Sequence, residues 1–166
     1  MKSPVIQARL KKIKILILDV DGVMTDGRVF WLENHGLTRY FNVKDGYGLK
    51  LLMKAGVYVA IISGGDSKDV RTRMEFLKIK HVFLGDEDKT KALEKVKTAT
   101  GFSLDQIAFM GDDLFDIPVL EQVGFSATVP HAVSEVKEKS HYVTEAHGGW
   151  GAVREVADGI RKAQGS

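Results

Sequence analysis

Residues 15 to 27 read ILILDVDGVMTDG, four apolar residues running into a segment that carries Asp19, Asp21 and Asp26. A run as continuously apolar as ILIL suits a strand buried on both faces, as in a parallel sheet covered by helices. Such a strand does not tolerate unpaired charge. The acids therefore belong at its carboxyl end, where a ligand or cation can answer them.

The pattern repeats along the chain. Further apolar runs lie at 57–62 (VYVAII), 80–85 (KHVFLG), 106–111 (QIAFMG) and 124–129 (GFSATV), and the first extends over 14–20. Between them stand helix-like segments at 46–56, 67–79, 89–101 and 116–124. Val70, Met74 and Leu77 recur at helical spacing, as do Ala92, Leu93, Val96 and Ala99. Gly56, Gly101 and Gly124 sit where helices should stop. Alternating strands and helices predict an α/β fold, a Rossmann-like doubly wound parallel sheet with helices on both faces.

One segment breaks the rhythm. RVFWL (28–32) and TRYFNV (38–43) flank a turn at ENHG and read as a β-hairpin, an insertion over 28–43 after the first strand. It displays Phe30, Trp31, Tyr40 and Phe41 on an element too small to bury them itself.

Composition sets the bounds. A chain of 166 residues predicts a single domain, 1–166, burying roughly 70% of its unfolded surface. With 44% hydrophobic and 28% charged residues it is an ordinary globular mixture. The absence of cysteine excludes disulfides and thiolate metal sites. A net charge of +2, without clustered Lys and Arg, gives no case for nucleic acid. No apolar stretch reaches the ~18 residues of a membrane span, and MKSPVIQARLKK lacks the apolar region of a signal peptide. These features predict a soluble cytoplasmic protein with no membrane partner.

In a doubly wound sheet, ligands bind beyond the carboxyl ends of the strands. Those ends carry Asp19 and Asp21, then Ser63-Gly64-Gly65, then GDEDK ending in Lys89, then Gly111-Asp112-Asp113. Each alone has a bland reading as a cap, a turn or a solvated lysine. Together they converge on one edge. Asp19 and Asp21 leave an extended chain on the same side, and Asp112 brings a third charge that calls for a cation. Hard oxygen ligands without sulfur suggest Mg²⁺, which commonly shares its shell with a phosphate. Lys89, the Ser63 hydroxyl and the N–H groups of Gly64 and Gly65 would hold phosphate oxygens. The reading is a phosphoryl-transfer site.

These residues resemble a known family. DVDGVMTDG, IISG, Lys89 and GDD match, in order, the four motifs of the haloacid dehalogenase superfamily over residues 15 to 113. The resemblance implies that Asp19 is a nucleophile forming an aspartyl-phosphate, and that Asp21 protonates the leaving group and then activates water. It implies Mg²⁺ held by Asp19, the backbone carbonyl of Asp21, and Asp112, with Asp113 and Asp116 in support. LDVDGVMTDG, FNVKDGYGLKLL, GDDLFDIPVLEQVG and GGWGAVREV also look like the capless 3-deoxy-D-manno-octulosonate 8-phosphate phosphatases of lipopolysaccharide core synthesis. That resemblance implies a sugar-phosphate substrate and a homotetramer. The hairpin would then abut the next chain's crevice, with Lys44 near the sugar's carboxylate. The C-terminal tail spans about 147–166, and its Gly-rich start, HGGWGAVRE (147–155), could reach over a crevice with Trp150 as a wall. Three positions depart from the usual pattern: Gly65 where an Arg often stands, Lys44 for Arg, and Trp150 among the tail's glycines.

A phospho-receiver domain shares the sheet and the residue types, but its lysine comes last, whereas Lys89 precedes Asp112-Asp113. A non-catalytic phosphatase-like module is disfavoured by the complete acid set. Among enzymes the runner-up is a phosphatase for a nine-carbon sugar-acid 9-phosphate. Asp26 reads as a turn or cap, His35 and His81 as structural or solvated, and Met53, Met74 and Met110 as core fillers. Asp113 reads as an N-cap or as a support for the site.

Overall fold

The computed structural model describes residues 1–166. Six parallel strands form one sheet in the order β5-β4-β1-β6-β7-β8, with β1 at Ile15–Leu18, β4 at Tyr58–Ser63, β5 at His81–Leu84, β6 at Ile107–Met110, β7 at Phe125–Thr128 and β8 at Tyr142–Val143. β1 pairs in register with β4 (Ile15 opposite Tyr58) and with β6 (Ile15 opposite Ile107). All four of its residues are buried, as expected of a strand covered on both faces.

The helices form two groups that follow from their apolar faces. α1 (Pro4–Leu10), α2 (Val43–Lys54), α3 (Lys68–Leu77) and α7 (Ala152–Ala163) pack among themselves, as do α4 (Lys89–Thr100), α5 (Ile117–Leu120) and α6 (Ser134–Lys139). β4 touches both α2 and α4, so the sheet is covered on its two faces. One cluster of 40 buried apolar residues runs through the sheet and both helix layers. Met74 and Met110 lie within it, and Met53 packs on its margin.

The hairpin is present but shorter than the sequence suggests: β2 (Phe30–Leu32) pairs antiparallel with β3 (Gly36–Thr38). Asn42 and Val43 belong to α2, because the Asn42 side chain accepts the N–H groups of Lys44 and Asp45 and caps the helix. Gly56 and Gly101 end helices with positive φ as expected. Gly124 serves differently: a Cβ there would come within 2.3 Å of the Asp105 carbonyl oxygen, so close packing excludes a side chain.

The largest correction concerns the C-terminus. Residues 152–163 are no tail but a helix with Val153, Val156, Ala157 and Ile160 buried in the core. Its first turn is held by Asp45, a buried carboxylate on α2 that accepts the N–H groups of Gly151 (3.3 Å) and Arg154 (2.7 Å). The loop before it is fixed to its own chain, with Gly149 donating to the Val23 carbonyl at 3.2 Å and Asn42 donating to the Gly149 carbonyl at 3.0 Å. What remains to project is Trp150, 69% exposed. No helix is long and apolar enough to cross a membrane.

Candidate active site

Parallel pairing brings the ends of β1, β4 and β6 to one edge, and the sequence places a polar residue at each. Asp19 follows β1 directly and is buried, its backbone N–H donating to the Met110 carbonyl at 2.9 Å. Ser63, the last residue of β4, is buried beside it. Lys89 opens α4, its side chain fully enclosed, with Nζ 2.8 Å from Asp19 Oδ1 and 2.5 Å from Asp116 Oδ1. The same ammonium lies 4.4 Å from the centre of the Phe115 ring.

Three carboxylates meet here. One oxygen each from Asp19, Asp112 and Asp116 lie within 4.8 Å of one another. Asp116, read from the sequence as a support, is a full member of this cluster and wholly buried. Its other oxygen accepts the N–H groups of Asp112 (2.9 Å) and Asp113 (3.2 Å), which ties the loop after β6 into shape. Asp113 is not part of the cluster. Its carboxylate accepts the Leu114 N–H at 2.7 Å and caps the 3₁₀ turn at Leu114–Asp116, the bland reading of that residue. The approach of the β1 and β6 loops is close: a Cβ on Gly22, which also has φ of 82°, would fall 1.9 Å from Asp112 Oδ2.

The cluster opens into a cleft of about 390 Å³ lined by Asp19, Asp21, Ser63, Gly64, Gly65, Glu87 and Phe115. Thus Asp19, Asp21, Ser63, Gly64, Lys89 and Asp112, singled out from the sequence, come together. Lys44 does not join them in its own chain. It is exposed on the first turn of α2 and absent from the cleft lining. Asp26 is a turn residue, accepting the Arg28 N–H at 3.1 Å and pairing with its guanidinium. A cleft of about 360 Å³ between Met53 and His81 lies at the opposite ends of the strands; it holds lysines and a histidine but no carboxylate, so it lacks the chemistry.

Arg39, unmarked in the sequence reading, enters the site from the end of the hairpin. Its Nε lies 2.5 Å from Asp21 Oδ1, and its side chain is only 6% exposed. An arginine directly after a pair of three-residue strands carries no motif; only the fold brings it to Asp21.

The electrostatics call for a cation. Burial, then the charges of Asp19 and Asp116, pushes Asp112 up to about 8. Burial likewise raises Asp19 despite the opposing charge of Lys89. A crevice that disfavours its own ionised carboxylates, with one lysine against three acids, is relieved by a bound positive ion. The donors are hard oxygens, which suits Mg²⁺ over softer metals.

Comparison with known proteins fits this arrangement. The family model of haloacid dehalogenase-like hydrolases matches residues 81–156, so the fold and the acid cluster define a hydrolase of that class. The 3-deoxy-D-manno-octulosonate 8-phosphate phosphatase KdsC of Yersinia pestis is 43% identical over 156 residues, covering 94% of this chain and 83% of that protein. The crystal structure of the Yersinia pestis phosphatase superposes with a TM-score of 0.95 at 41% identity, over 98% of this chain and 88% of that one. The phosphatase of Moraxella catarrhalis, crystallised in complex with a magnesium ion, a phosphate ion and a KDO molecule, gives 0.93 at 38% identity, over 96% and 92%. The chain belongs to the 3-deoxy-D-manno-octulosonate 8-phosphate phosphatase family.

Proposed function

We propose that this protein is a Mg²⁺-dependent phosphatase that hydrolyses 3-deoxy-D-manno-octulosonate 8-phosphate to the sugar acid and phosphate, a step of lipopolysaccharide core synthesis. One observation carries the reading: in a chain of this family, a buried Asp19 paired with Lys89 stands at the floor of a cleft, beside two further acids.

The chain's own groups divide the work. Asp19 attacks phosphorus, forming an Oδ–P bond as the sugar's O–P bond breaks. Asp21, its side chain 40% exposed at the mouth, gives its proton to the departing sugar oxygen. Water then attacks the phosphoryl group, Asp21 takes its proton, and the Asp19–P bond breaks to release phosphate. Lys89, the Ser63 hydroxyl and the Gly64 N–H hold phosphoryl oxygens. Lys89 also keeps the nucleophile fixed. Asp19, the Asp21 backbone carbonyl and Asp112, with Asp116 behind them, would hold Mg²⁺, whose charge offsets that of the phosphoryl oxygens. A sugar-acid phosphate, charged at both its phosphate and its carboxylate, does not cross a bilayer unaided, and we place its hydrolysis in the cytoplasm.

The test is phosphate release from a panel of sugar phosphates with Mg²⁺. The eight-carbon sugar-acid 8-phosphate is expected to give the highest kcat/KM, ahead of a nine-carbon sugar-acid 9-phosphate and far ahead of hexose phosphates. A preference for the nine-carbon substrate would move the assignment to the runner-up, and turnover of none would end it.

We further read the protein as a homotetramer whose hairpins complete neighbouring sites. Trp31 and Tyr40 are each 72% exposed and Val43 is 79% exposed on one continuous stretch. Such apolar surface marks an association face. Phe41 has the other fate, packing onto its own core. Lys44, exposed beside Val43, would reach the substrate carboxylate of the next chain. Trp31→Asp with Tyr40→Asp is expected to give monomers of low sugar-phosphatase activity by sizing and assay. A fully active monomer would show that each chain closes its own site.

A further inference from the structure

Asp21 has a single hydrogen-bonding partner in the chain. Arg39 meets its carboxylate as a fork, Nε to Oδ1 at 2.5 Å and Nη2 to Oδ2 at 3.2 Å. On its other side the guanidinium is anchored to the start of α3, with Nη1 donating to Ser67 Oγ at 2.9 Å and to Asp69 Oδ1 and Oδ2 at 3.2 and 3.3 Å. A planar group gripped on both edges cannot swing without breaking both. Asp21 is 40% exposed and would otherwise turn freely about its terminal torsion, yet Arg39 at 6% exposure fixes it.

The space the guanidinium fills is bounded by Gly65. That glycine has no positive φ, so its backbone admits any residue. A Cβ there would make ordinary contacts, 3.8 Å from Arg39 Nη2 and 3.9 Å from both Asp21 Oδ2 and Ser63 Oγ. A longer side chain would grow from that Cβ toward the Arg39–Asp21 pair. Residue 65 and Arg39 therefore border one space, which a long side chain at 65 would have to share.

We propose that Arg39 is a positioning residue that aims Asp21 at the leaving-group oxygen and holds, by its fork, the carboxylate that remains once the proton has passed to that oxygen, and that Gly65 leaves the space beside the pair open. A general acid must lie within hydrogen-bond reach of the oxygen it protonates, and a displacement of about 1 Å can cost roughly a hundredfold in rate. The alternative is that Arg39 merely ties the hairpin to α3.

The inference rests on the phosphatase reading, and two substrates separate them. Nitrophenolate leaves without a proton; a sugar alkoxide does not. Arg39→Ala is expected to lower kcat/KM on the sugar-acid 8-phosphate by about 30-fold or more, and on nitrophenyl phosphate by less than about threefold. Arg39→Lys, a point charge without the fork, should fall between, and it carries the comparison if the alanine variant fails to fold. Gly65→Arg supplies the second arm. In the native background it should lower kcat/KM on the sugar phosphate selectively, by crowding the pair. In the Arg39→Ala background it should raise it, by returning a guanidinium to the vacated space. Equal losses on the two substrates, or the same sign for Gly65→Arg in both backgrounds, would overturn the proposal while leaving the phosphatase intact. No turnover of either substrate by the native protein would overturn both.

Discussion

Asp19→Asn is expected to abolish phosphate release from the sugar phosphate, by on the order of 10⁴-fold or more, while the protein stays folded. An amide does not displace an alkoxide from phosphorus, and phosphate monoesters are among the slowest esters to hydrolyse unaided. That the fold survives follows from the surroundings of Asp19. Burial raises its pKa, so its charge is held at a cost rather than as a source of stability. Replacing it removes an unfavourable charge, and Lys89 keeps its contact to Asp116 at 2.5 Å. The melting temperature should move by no more than a few degrees. Activity above about a tenth of the native level would show that no covalent bond to Asp19 is required.

How far the sequence reveals this site depends on the range of the interactions involved. Asp19, Ser63, Lys89 and Asp112 were legible because each ends or follows a strongly apolar run, and parallel topology carries such ends to one edge. The place of Asp116 in the carboxylate cluster was hidden for a local reason. It sits in a 3₁₀ turn too short to show a period, and its burial is set by contacts with Lys89 and with the loop after β6. Arg39 was invisible because its partners, Asp21, Ser67 and Asp69, lie 18 to 30 positions away. The C-terminal helix is a different failure. Val153, Val156, Ala157 and Ile160 carry a helical spacing, but the glycines before them and Gly159 within suggest a tail. What makes it a helix is tertiary: Asp45 at its first turn and the faces of α1 and α2 beneath it. α1, α6 and β8, of seven, six and two residues, are too short for any pattern to stand out.

Removing divalent cations is expected to stop turnover, and the same acids should reveal the cation through stability alone. With only Lys89 to offset burial and its acidic neighbours, Asp112 is raised from 3.8 to about 8, so between these values the folded protein holds a proton that the unfolded chain has lost. Folding stability from this group is therefore greatest below pH ~4 and declines as pH rises toward ~8. A bound cation replaces that proton. Mg²⁺ should thus raise the melting temperature little at pH 5 and by several degrees at pH 8, and Asp112→Asn should lessen both the Mg²⁺ effect and the decline, of which Asp19, also raised, keeps a share. Ca²⁺ should also stabilise the protein, because it accepts the same oxygens. It should support turnover poorly, since it prefers more ligands at 2.3–2.6 Å where Mg²⁺ demands about 2.0–2.1 Å, a mismatch large enough to misplace the phosphoryl group before Asp19. Melting curves at the two pH values with each ion, set beside phosphate release, separate binding from catalysis. Full turnover in excess chelator, or a Mg²⁺ shift as large at pH 5 as at pH 8, would mean that these carboxylates do not hold the ion.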